Sequence, residues 1–138
     1  MVTTDPTSPS KSSTSLPIRL TWGGVGVLLL AWDVFEAVKH TGWVIPAAAV
    51  GAAVPALSPL AGLGQTHEPG QLPPEAVPLY NLFHRALPPF AIMVVFSFLG
   101  DSAEDVAAPF TFGMSWLTTV AIGRALGHGL RGPDGRPR

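Results

Sequence analysis

Asp33, Glu36 and His40 are the residues of this chain best suited to chemistry. Their spacing of i, i+3 and i+7 places them within an arc of about 60° on one helix face. Two carboxylates and an imidazole are the donor types that a divalent cation or a mobile proton would use. Trp22, Gly26 and Leu29 share the same stripe. A plainer arrangement uses the same residues: near the outer end of a helix they would touch water and pair with Lys39 or Arg85. His84, followed by Arg85, is the second candidate. An imidazole in an apolar helix can be a ligand or a proton carrier, or can simply hydrogen-bond one backbone carbonyl. Asp33, Glu36, His40 and His84 together form the candidate polar site, with no metal or other cofactor assigned to it.

The elements that must carry these residues are membrane helices. Between Thr41 and Thr66 the chain runs 26 residues without an ionisable side chain, and about 20 apolar residues suffice to cross a bilayer. Charged residues make up 12% of the chain, about half the share of a soluble domain. Residues 1–17, rich in Ser, Thr and Pro, read as a disordered tail. Four spans follow in a membrane domain over 18–130, at about 18–38, 42–60, 75–99 and 106–126, and 131–138 is a basic tail. Pro46, Pro55 and Pro59 predict a bent second span, and Pro88–Pro89 a kinked or broken third. A cleaved signal peptide fits less well, because only Lys11 and Arg19 precede the first apolar run and no A-x-A site closely follows it.

Lys11, Arg19, Arg124, Arg131, Arg136 and Arg138 fall on the side of the termini, and only Lys39 falls in the loops opposite. The positive-inside rule then puts both termini in the cytoplasm of a cell with an inner (plasma) membrane. The Ala, Gly and Pro usage fits a bacterium with a GC-rich genome. In the last span Thr111, Ser115, Thr119, Gly123 and Gly127 form a row at i+4 spacing, matched in the second span by Ala48–Ala52–Ala56 and Ala47–Gly51–Pro55. Small residues so spaced let helices approach closely in lipid. Helix packing is the reading for Ser115, Thr119, Gly123 and Gly127.

Several classes are excluded. The chain has no cysteine, so no disulfide, thiolate metal site or cysteine nucleophile. A net charge of −1 offers no basic face for nucleic acid. No phosphate loop, nucleophile elbow or zinc-protease motif occurs.

Two stretches carry a family likeness. Tyr80-Asn81-Leu82-Phe83-His84 with Ala86-Leu87-Pro88 resembles a YNxxH…ALP segment. Trp116-Leu117, then Arg124-Ala125-Leu126-Gly127-His128-Gly129-Leu130, Gly132-Pro133 and Gly135, resembles a WxxHxxxDRxLGYGLKxPxGF ending. Together, over about Arg19 to Gly135, the chain resembles the small bacterial membrane proteins catalogued as domain of unknown function 4260. That resemblance implies a multi-helix membrane fold and no established activity. It also implies an aspartate where Ala56 stands, a histidine at Thr119 and an aspartate at Gly123, so that only His84 of four polar positions is kept. Such groups would suit a buried metal site; here that site is lost, or Asp33, Glu36 and His40 replace it, and loss is the simpler account.

The expectation is an all-α integral membrane bundle of four transmembrane helices, the second and third interrupted by proline, with the lipid bilayer as its surroundings. Its role is structural or one of interaction, with a second copy or another membrane protein as partner. The alternative is a metal- or proton-dependent membrane hydrolase or transporter using Asp33, Glu36, His40 and His84.

Overall fold

The computed structural model describes residues 14–138. The greater part of the expected tail, residues 1–13, lies outside the described residues. The first helix, α1, covers Leu16–His40, with Pro17 in its opening turn, where a missing N–H costs nothing. It therefore takes in the last two residues assigned to the tail. The second span is α2, Val44–Ala53, continued by a 3₁₀ stretch over Val54–Gly62. The third comprises a 3₁₀ turn at Pro74–Ala76, α3 at Val77–Phe83, and α4 at Leu87–Leu99. The last is α5, Ala103–Ala125. All four are long and apolar enough to cross a membrane, and no strand occurs among the described residues.

Helix α5 starts three residues earlier than its apolar run. Ser102 is its N-cap and accepts from the Asp105 N–H at 3.2 Å, while Glu104 and Asp105 occupy the first turn. A serine cap and acidic residues at a helix N-terminus are both stabilising. Half of the segment expected between the third and fourth spans is thus the first turn of this helix.

Helix α5 is also the hub. Helices α1, α2 and α4 each pack mainly against it, and α1 meets α2 only lightly. Half of the α5 span is buried (50%), against 11% for α1, although α5 is the least apolar of the four. In lipid, apolar surface gains little by being covered, so small and hydrogen-bonding residues select the interior. Gly113, Ser115, Thr118 and Ala121 are accordingly buried, while α1 exposes Leu20, Val27, Leu28, Val34 and Phe35.

Backbone approaches at glycine set the spacing. A Cβ on Gly51 would collide with the Phe112 carbonyl oxygen, and one on Gly113 would lie 2.9 Å from the Pro89 carbonyl oxygen. On Gly26 it would sit 3.0 Å from Ile122 Cγ1. The second and last spans do pair, through the row containing Gly51. The glycines of the α5 row behave differently from expectation. A Cβ on Gly123 would meet only His128 Cβ at 3.8 Å, and Gly127, at φ +91°, turns the chain beyond the helix end.

The proline breaks are repaired within the second span and from α5. Pro55 has no N–H for the Gly51 carbonyl, which accepts from Val54 N–H instead, and the chain tightens to 3₁₀. Pro59 cannot serve the Pro55 carbonyl, which accepts from the buried Ser58 hydroxyl at 2.7 Å. In the third span the break falls at 84–86, just ahead of Pro88–Pro89, which enter the first turn of α4. Pro88 would clash with the His84 carbonyl and cannot donate to it. That carbonyl accepts from Arg124 Nη2 at 3.2 Å, and the Phe83 carbonyl accepts from Trp116 Nε1 at 2.8 Å. Thr119 Oγ1 donates to the Ala52 carbonyl at 3.1 Å, where α2 is about to change pitch. Unmet carbonyls cost several kcal/mol each in hydrocarbon, roughly the penalty these donors remove. Trp116→Phe is expected to lower stability in detergent by about 1–2 kcal/mol while leaving helix content unchanged; denaturant titration with circular dichroism measures both, and an unaltered midpoint would contradict the repair role.

Helix directions follow from the contacts. Arg19, in the first turn of α1, donates to the carbonyl of Ala125 at the end of α5 (2.8 Å), whereas His40 meets Glu104 at the other end. The start of α1 and the C-terminal segment thus lie at one end of the bundle. There, 128–138 folds back on the loop before α3: Leu72 N–H donates to the Gly135 carbonyl, and Asn81 exchanges two hydrogen bonds with the Arg131 backbone. The basic tail is a docked cap.

Candidate functional site

Asp33 is buried at 7% exposure, opposite the middle of α5. Ser115 Oγ donates to its Oδ1 and Thr118 Oγ1 to its Oδ2, each at 2.9 Å. Thr118 also reaches the Met114 carbonyl at 2.9 Å, so its one proton is shared. Ser115 and Thr118 lie one turn apart on α5, which aims both hydroxyls at one carboxylate. Neither Lys39 nor Arg85 takes part: the Lys39 ammonium lies over the Phe35 ring at 5.8 Å, and Arg85 is exposed beyond the α3 end. The site lies about 18 Å along α5 from its start, near the middle of that helix. The outer-end arrangement therefore does not describe Asp33. Close by in sequence, Thr111 Oγ1 is buried with no hydrogen-bond partner among the described residues.

Glu36 and His40 sit at the C-terminal end of α1. Trp32 Nε1 donates to Glu36 Oε1 at 2.9 Å, His40 Nε2 lies 3.3 Å from Glu36 Oε2, and His40 Nδ1 lies 2.9 Å from Glu104 Oε1. The ring donates from both nitrogens only when it carries its second proton. The result is a carboxylate–imidazole–carboxylate tie between the end of α1 and the start of α5.

His84 ends α3. Its Nδ1 lies 2.8 Å from the Tyr80 carbonyl, and its ring stacks on Tyr80 at 3.8 Å. Arg131 lies over the other ring system, 5.5 Å from the Tyr80 centroid, and Arg124 is 5.2 Å from that of Trp22. Because His84 meets Arg124 and His40 meets Glu104, the two histidines belong to opposite ends of α5, about 30 Å apart over twenty residues. The candidate residues therefore separate into three sites: Asp33 at the middle of α5, Glu36 with His40 at one end, and His84 at the other. Among the described residues no group of three or more His, Asp or Glu has an arrangement that could hold a metal ion.

Sequence reasoning put Asp33, Glu36 and His40 on one face of α1 but named Lys39 or Arg85 as their partners, not the α5 residues they meet. Ser115 was read as packing alone, and Thr118 and Glu104 were not singled out. The i, i+3 hydroxyl pair at Ser115 and Thr118 was the available signal for a carboxylate facing it. Arg124, read only as a topological charge, is a donor to a broken backbone. Comparison with family models, curated proteins and solved structures finds no match.

Proposed function

We propose that this chain is a multi-pass protein of the plasma membrane, with both termini in the cytoplasm, acting as a structural or interaction component rather than through catalysis. The observation that carries the role is the use to which its interior polar groups are put. Asp33, Trp116, Thr119 and Arg124 are each engaged in ties between helices or to interrupted backbone, and His84 is held against the Tyr80 carbonyl of its own helix. The larger groove is lined by apolar residues and Arg19, not by the candidate polar residues. The basic cap formed with Arg131, Arg136 and Arg138 supports the orientation, since positive loops stay in the cytoplasm.

Kinship with domain of unknown function 4260 belongs to the same proposal. Thr119 meets Ala52, one turn from Ala56, and Arg124, beside Gly123, meets His84. Of the positions that the resemblance marks as polar, Thr119 and His84 thus each make a contact between α5 and one of the two interrupted spans.

The absence of cysteine permits a direct test. Single cysteines at Arg138 and at Asp101 are expected to react with an impermeant maleimide from opposite sides, with Asp101→Cys labelled from outside intact cells. Labelling of Arg138→Cys from outside would reverse the orientation. Metal analysis of the detergent-purified chain separates the roles: a stoichiometric metal lost in Glu36→Ala or His84→Ala would replace this reading with the metal-dependent one.

A further inference from the structure

Two neighbouring glycines in α1 have no packing explanation inside the bundle. A Cβ on Gly24 would meet nothing within 4 Å, and one on Gly23 only Ala125 Cβ at 3.7 Å. Each glycine costs a helix about 1 kcal/mol relative to alanine, and the close approach of α1 to α5 is made one turn on, at Gly26. What Gly23 and Gly24 do produce is the floor of an outward-facing groove of about 710 Å³, walled by Leu16, Leu20 and Leu28. From Leu16 to Leu28 it runs about 18 Å along the helix, close to the roughly 15 Å depth of one hydrocarbon leaflet.

A cation stands at one end of this apolar slot. Arg19, in the first turn of α1, lines the groove, and its Nε donates to the Ala125 carbonyl at 2.8 Å. That bond holds the guanidinium where two helices end, at headgroup depth. No acidic side chain pairs with it among the described residues. Its remaining N–H groups form the planar fork that suits a phosphate. The cytoplasmic leaflet, facing the proposed side of the termini, is the anionic one.

We propose that this groove binds one anionic phospholipid, with an acyl chain along Gly23–Gly24 and the phosphate on Arg19. The proposal rests on the membrane reading above. Slot length and charge complementarity together favour a lipid over a second copy of the chain, which would have to place a helix against an arginine.

The test uses the full chain reconstituted in phosphatidylcholine bilayers doped with phosphatidylglycerol, with retained lipid counted by native mass spectrometry. The wild type is expected to keep one phosphatidylglycerol in preference to phosphatidylcholine. Arg19→Gln, which keeps a donor for Ala125, is expected to reduce retention about tenfold, one charge-assisted contact being worth about that factor, and Arg19→Lys to recover part of it. Gly24→Leu fills the slot where there is open space and is expected to lose the lipid with the charge intact. Arg138→Gln, an equal charge change on the cap, should leave retention unchanged. Equal retention of both lipids by the wild type would overturn the proposal. So would an equal loss in Arg138→Gln, lipid retained in Gly24→Leu, or a dimer that Gly24→Leu dissociates. Release of the wild type from membranes by alkaline carbonate would instead sink the membrane reading.

Discussion

Gly51→Ala is expected to force α2 away from α5 and to lower stability in detergent by about 3 kcal/mol, the upper part of the usual range for overpacking. The added methyl collides with the carbonyl oxygen of Phe112. That atom belongs to the backbone of the hub helix, so no rotamer change can relieve the contact. Moving α2 outward also stretches the Thr119 to Ala52 bond and loosens Val54 from Trp116 and Val120. Gly24→Ala is the matched control: its methyl enters open space, and the helix gains up to about 1 kcal/mol. Unfolding by dodecyl sulfate titration should therefore move the two variants in opposite directions. Equal midpoints would mean that α2 does not depend on this contact.

The second large effect concerns Asp33. Removing both donors, in Ser115→Ala with Thr118→Val, leaves a buried carboxylate without a partner, an arrangement expected to cost about 3–5 kcal/mol. Removing the carboxylate instead, in Asp33→Leu, should cost less. Thr118 already shares its proton with the Met114 carbonyl, and interhelical hydrogen bonds in bilayers average about 0.6 kcal/mol. The triple variant, apolar throughout, should return close to wild-type stability. The ordering is the informative result, because it separates the penalty of an orphaned charge from the worth of the bonds. If the triple variant were as unstable as the double, the cluster would matter for shape and not for its polar pairing.

The four segments long and apolar enough to cross a membrane were readable residue by residue. The run from Thr41 to Thr66, the proline positions and the number of spans all survive in the structure, since hydropathy and a missing N–H are properties of a segment by itself. The α1 stripe was readable too: Gly26 and Asp33 are buried, and Trp22, Leu29, Glu36 and His40 are half-buried along the same side. Helix periodicity sets which residues share a face, whatever lies opposite. Boundaries were readable only in part. The Ser102 cap and the docking of 128–138 depend on hydrogen bonds that an apolar count does not register.

By itself, then, the sequence determined an all-helical chain with four spans, two of them interrupted by proline, and one polar face on the first helix. The tertiary structure decided which helix lies at the centre and what each polar group meets. Asp33 found two hydroxyls, His40 a glutamate from another helix, and His84 a place about 30 Å away from it along α5. The physical reason is that four segments of similar apolarity carry no preference among their apolar faces. Partners are chosen by small residues that permit close approach and by donors that satisfy broken backbone, and those choices exist only between segments.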